Sequence, residues 1–169
     1  MGFVRKLLRS IGLERRDWNA EGRRAGRGAV ALSRKATPAL QGILSGAMNG
    51  EQCFAALCIL AQHCVTSGKM RLSPSNHSAF SKGVASSCTP AIATALHVSS
   101  EQAETLYRRA SESISKGPWR LAGASEDENE KRAVALGILT SFGIAAPDVS
   151  DAAMALLHAY CQQLLAAGR

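Results

Sequence analysis

Residues 88–110 read CTPAIATALHVSSEQAETLYRRA: a Thr89-Pro90 opening, a short apolar run, a break at His97-Val98, then Ser99-Ser100 and a second apolar-striped run. Ile92, Ala93 and Leu96 give the first run one apolar side, and Ala103 and Leu106 do the same for the second. That spacing predicts two helices. Ser99 followed by Gln102 forms a capping-box pattern, which marks the second start.

The same punctuation recurs outward from this stretch. Thr37-Pro38, Ser73-Pro74 and Thr89-Pro90 each place a hydroxyl before a proline, the pattern of an N-cap followed by Pro at the first helical position. Ser125 with Glu128 adds a second capping box, with Glu126 and Asp127 placed at the positive end of a helix dipole. Asn49-Gly50, Gly68, Gly117-Pro118, Gly143 and Gly168 are stop signals. Together these predict helices over 2–11, 38–48, 51–66, 74–86, 90–97, 100–116, 126–142 and 150–167. Composition agrees: 29 Ala and 18 Leu against 14 Val plus Ile and eight aromatic residues favour helix over sheet in a chain of 169 residues. The expected fold is all-α, a compact multi-helix bundle with a basic amphipathic N-terminal arm. Residues 1–36 form the arm and residues 37–169 a single helical domain.

A weak echo overlies this plan. TPALQGILSGAMNGEQCFAAL from Thr37 and TPAIATALHVSSEQAETL from Thr89 share a Thr-Pro-Ala start and a later Glu-Gln, Glu51-Gln52 and Glu101-Gln102. FGIAAPDVSDAAMALL repeats the second half more faintly. The spacing near fifty suits duplication of a helix pair.

Charge divides the chain more sharply than hydropathy does. Residues 1–35 hold ten Lys or Arg against Glu14, Asp17 and Glu21, whereas residues 36–169 hold ten of each sign, so the net charge of +7 is entirely N-terminal. Such asymmetry is the footprint of an anionic partner. In MGFVRKLLRSIG, Phe3, Val4, Leu7, Leu8 and Ile11 fall on an arc of about 140° at helical spacing, an apolar docking face, with Arg5, Lys6 and Arg9 opposite. A helix this short needs a surface to form on, whether the protein's own core, a partner subunit or a lipid interface. In ERRDWNAEGRRAGRGAV, Arg15, Arg16, Arg23, Arg24 and Arg27 alternate with Gly22, Gly26 and Gly28, which make a helix costly. This segment resembles an arginine-rich nucleic-acid arm. With Trp18 the lone aromatic, its contacts would be to backbone phosphate and not to bases.

Residues 90–109 also resemble, over about twenty residues, the helix-turn-helix of bacterial regulators, which would make Gln102, Thr105, Arg108 and Arg109 the DNA contacts. The pattern departs in two places. His97 stands where a turn glycine is usual, and Glu101 and Glu104 occupy the half of the recognition helix where phosphates would lie. Carboxylates there repel DNA, so packing is the preferred reading of the pair and DNA binding the alternative.

Motifs for chemistry are missing. HCVTSGKM around Lys69 lacks the glycine and hydroxyl of a phosphate loop, and no G-x-S-x-G elbow occurs. Ser113 and Lys116 have S-x-x-K spacing without its companion motifs, and EDENE is a solvated helix start. Pairing of a cysteine with His63, His77 or His97 would need tertiary coincidence. The five cysteines, Cys53, Cys58, Cys64, Cys88 and Cys161, are odd in number and sit mostly in apolar runs without a CxxC pair, which fits packed thiols in the cytoplasm or another reducing compartment. His158 and Cys161 share a helix face but lack further zinc ligands. The apolar runs fall short of a transmembrane span, and Glu14, Arg15 and Arg16 interrupt any signal-peptide core. These readings converge on a non-catalytic structural or assembly protein without metal or cofactor. It is expected to be an oligomer or a subunit of a larger complex, anchored through residues 1–35 to nucleic acid, to an acidic membrane surface as a peripheral protein, or to an assembly partner.

Overall fold

A computed structural model describes residues 16–167. Phe3, Val4, Leu7, Leu8 and Ile11, together with Arg5, Lys6, Arg9 and Arg15, lie outside the described residues, as does the predicted helix 2–11. The described chain is all-α, with no strand: α1 Trp18–Ile43, α2 Gly50–Ser67, α3 Pro74–Leu96, α4 Ser100–Lys116, α5 Glu126–Thr140, a 3-10 turn Ala146–Asp148, and α6 Asp151–Ala167. No helix among the described residues is long and apolar enough to cross a membrane.

The packing is organised around α2, which touches each of the other five helices. Ala55, Ala56, Leu57, Cys58, Ile59, Leu60 and Ala61 are all fully buried, and a helix apolar on every side has to lie at the centre of a bundle. Each of its large aliphatic side chains contributes about 1.5–3 kcal/mol by leaving water. One polar pair in this core is matched: the Ser33 hydroxyl lies 2.9 Å from the Ala29 carbonyl and 2.7 Å from the Tyr160 hydroxyl, which also reaches the Leu57 carbonyl, joining α1 to α6 beside α2.

Several helix starts are where the sequence places them. Ser99 with Gln102 and Ser125 with Glu128 form complete capping boxes, and Pro74 opens α3. Two others are corrected. Thr37-Pro38 and Thr89-Pro90 lie inside helices: α1 runs through Pro38, and α3 runs through Pro90 to unite the predicted 74–86 and 90–97. The line drawn between residues 36 and 37 therefore falls within α1. Thr37 does not cap; its hydroxyl donates back to the Ser33 carbonyl at 2.8 Å. Both prolines face solvent, where the helix carbonyls they leave without a donor can be hydrated.

The larger correction concerns the Gly-Arg segment, which is helical from Trp18 onward with Asp17 as N-cap, accepting from the Ala20 amide at 2.9 Å. Gly22 and Gly26 are buried one turn apart where α1 crosses α3. A Cβ on Gly22 would sit 2.1 Å from the Phe80 carbonyl oxygen, one on Gly26 2.8 Å from that of Val84, and one on Gly83 2.2 Å from that of Asn19. The backbones meet so closely that only hydrogen fits between them. The glycines that weaken an isolated helix thus make this crossing possible.

The break at residues 97–99 is a Schellman turn. The Val98 amide reaches the Ala93 carbonyl at 3.0 Å, the His97 amide points to that of Thr94 at 3.4 Å, and His97 adopts the left-handed conformation at φ 54°. Val98 then packs against the core. From there α4 lays Ala103, Ala110 and Ile114 inward, with Ile114 against Gly137 of α5, where an added Cβ would be 2.5 Å from the Ile114 Cα.

Candidate functional site

Once the Gly-Arg segment is helical, its cations acquire a geometry. The buried side of α1 is Gly22, Gly26, Ala29, Ser33 and Leu40, and Arg23, Arg24, Arg27, Arg34 and Lys35 occupy an arc of about 120° on the exposed side. From Gly22 to Gly50 the sequence contains no Asp or Glu. Among the described residues no carboxylate forms an ion pair with any of these five. Arg23 donates to the Asn19 side chain, and the Arg34 guanidinium lies 5.9 Å from the Phe54 ring centre. Arg27 and Arg34, with Val30, Ala31 and Ser87, line a shallow cleft of about 310 Å³.

Of the cations singled out in sequence, Arg23, Arg24 and Arg27 share this face. Arg16 does not belong with them: it is paired with Glu21 at 2.5 Å and lies over the Trp18 ring at 4.7 Å. Arg34 and Lys35 were missed as site residues. The acid-free run from Gly22 was the available signal, but only a continuous helix brings Arg34 into line with Arg23 and Arg27.

On α4, Gln102, Thr105, Arg108 and Arg109 lie along one side. The Gln102 side-chain oxygen accepts from the Ser99 backbone amide at 2.9 Å, and Glu101, Glu104 and Glu112 share that side with Arg108. It borders a groove of about 660 Å³ floored by α2 and walled by α3 and α4.

The nucleophile candidates are dispersed. Cys53, Cys58 and Cys88 are buried, and burial pushes the Cys58 thiol up to about 11 and the Cys88 thiol up to about 12, so both are protonated at neutral pH. His63 meets Ser111 at 2.7 Å, His77 meets the Thr66 carbonyl at 3.1 Å, and His97 lies 3.7 Å from Glu51; no cysteine joins any of them. Burial lowers the His63 pKa, which leaves a neutral imidazole beside a hydroxyl. Ser111 sits in the interior of α4, where backbone amides are committed to the helix and none is free to hold an oxyanion. Cys64 and Cys161, read in sequence as packed thiols, are joined as a disulfide between α2 and α6 with a Cα–Cα distance of 6.2 Å. His158 instead sits 3.8 Å from Asp127, and among the described residues no group of three or more His, Cys, Asp or Glu converges to hold a metal.

The echoed segments do the same local work. Each runs from a proline inside a long helix to a capped start of the next, with Gln52 and Gln102 in equivalent capping boxes behind Asn49 and Ser99. Comparison with known proteins finds no matching family model, no matching curated protein and no matching solved structure.

Proposed function

We propose that this chain is a non-catalytic helical assembly protein whose basic N-terminal segment, including the solvent face of α1, anchors it to the phosphate backbone of a nucleic acid within a larger particle. The observation that carries the reading is the set of Arg24, Arg27, Arg34 and Lys35, held on one face of a packed helix without a carboxylate partner among the described residues. Guanidiniums fixed on a rigid element meet phosphate oxygens with little further loss of freedom. Arg24 and Arg34 are separated by about 15 Å along the axis, room for two or three phosphates of one strand.

A lipid surface is a poorer complement to this face. Interfacial helices bury large apolar side chains between their cations, and here the intervening residues are Val30 and Ala31. Base reading by α4 is disfavoured by Glu101, Glu104 and Glu112 beside Arg108. Binding of the full chain to a labelled oligonucleotide and to anionic vesicles, each at low and high salt, tests the proposal. Salt-sensitive oligonucleotide binding that exceeds vesicle binding supports it. Preference for vesicles, or no binding to either, defeats it.

A further inference from the structure

We propose that the groove between α2, α3 and α4 binds a small organic cation carrying a primary ammonium group. This inference is independent of the anchoring role assigned to α1.

The groove is lined from α2 by Gln62 and Thr66, from α3 by Ser81 and Lys82, and from α4 by residues including Glu104 and Tyr107. At about 660 Å³ it is within the size range of small-molecule sites, roughly 300–1,000 Å³. Its polar groups are unevenly satisfied. The Thr66 hydroxyl is committed to the Gln62 carbonyl at 2.8 Å, and Ser111 is committed to His63. Gln62 itself is 3% exposed, yet its side-chain oxygen has no hydrogen-bond partner, and neither has the buried hydroxyl oxygen of Ser81. An amide oxygen can only accept, and burying one without a donor is costly. Gln62 brings to this groove an oxygen that only accepts and Ser81 a hydroxyl that can accept, so a ligand with several N–H donors, such as a primary ammonium, can serve both.

Charge points the same way. Glu101, Glu104 and Glu112 outnumber Lys82 and Arg108 around the groove, and none of the five forms an ion pair among the described residues. An anionic ligand would meet a surplus of carboxylates. A divalent metal would need converging ligands that are not found among the described residues. An alkyl ammonium meets the carboxylates with its charge, Gln62 and Ser81 with its protons, and Tyr107 with its stem.

The test is titration of the ¹⁵N-labelled full chain with spermidine and 1,5-diaminopentane, followed by NMR, with tetramethylammonium as a cation that has no N–H to donate. Saturable shifts of the Gln62 side-chain amide by the amines, with little response to tetramethylammonium, are expected. Gln62→Leu, which keeps the volume and removes the acceptor, should weaken amine binding about tenfold or more. Ser81→Ala and Glu104→Gln should each weaken it severalfold, and Glu104→Gln, at an exposed position, carries the test should Gln62→Leu fold poorly. Equal response to tetramethylammonium, unchanged affinity in the variants, or no shift at high millimolar amine overturns the proposal and leaves water as the partner of Gln62.

Discussion

Replacing Gly22 by Ala should destabilise the protein, although the same change elsewhere on α1 should stabilise it. Alanine gains about 1 kcal/mol over glycine in a helix interior. At Gly22 the new Cβ would lie 2.1 Å from the Phe80 carbonyl oxygen and 3.0 Å from the Gly83 Cα, against 3.4 Å for the start of ordinary contact, so α1 and α3 must separate by about 1.3 Å (3.4 − 2.1). Both obstructing atoms are backbone and cannot rotate away. Overpacking of this kind costs about 1–3 kcal/mol, and with rigid partners the upper end applies, leaving a net loss of about 2 kcal/mol. At Gly28 nothing lies within 4 Å of an added Cβ, so Gly28→Ala keeps the full gain of about 1 kcal/mol. Because both substitutions affect the unfolded chain alike, their difference isolates the crossing. For a chain of this size the expectation is a Tm lower by roughly 4–8 °C for Gly22→Ala and higher by roughly 2–4 °C for Gly28→Ala, followed by far-UV circular dichroism. Shifts of the same sign and similar size would refute the close-crossing account.

Three further outcomes follow from local geometry. His97→Gly should raise stability by about 0.5–1 kcal/mol, because His97 holds φ 54° at a Schellman position that favours glycine, and the exposed contact with Glu51 that it gives up is worth little; denaturant unfolding measures this. The thiols of Cys58 and Cys88, ordinarily near 9.0, titrate at about 11 and about 12 when folded, so above pH 9 the unfolded chain loses protons that the folded chain keeps. Their contribution to stability is therefore intact below pH 9 and should fall as pH rises from 9 to about 12, with a shallower fall in Cys88→Ala than in the parent. Thiol titration in denaturant should count three groups without reductant and five with it, and reduction of Cys64–Cys161 should lower Tm, since the bridge closes a 97-residue separation and such loops stabilise by up to about 4–5 kcal/mol.

What the sequence revealed, and what it concealed, follows from how local each signal is. The caps at Ser99 and Ser125 are satisfied within four residues, so their hydrogen bonds can be inferred from spacing alone. Ser73-Pro74 and Thr37-Pro38 look alike as dipeptides, yet one opens a helix and the other lies within one. What separates them is the fate of the preceding residues: Gly22 and Gly26 pack closely against α3, more than fifty positions away, which no dipeptide records. The same distance hid the α1 cation face. Arg23, Arg24 and Arg27 were recognised as basic, but Arg34 and Lys35 joined them only when the glycines proved to be packing residues. Gln62 was hidden for the opposite reason. It stands in an apolar run that reads as core, and the lack of a partner for its oxygen is visible only when α3 and α4 are in place.

The anchoring claim is tested most directly by the salt dependence of oligonucleotide affinity in the parent chain and in a variant combining Arg24→Gln, Arg27→Gln and Arg34→Gln. Each duplex phosphate neutralised contributes about 0.9 to the slope of log affinity against log salt, so loss of three contacts should make the slope shallower by about 2–3. A variant with the parental slope and affinity would contradict the assignment of α1 as the contact surface.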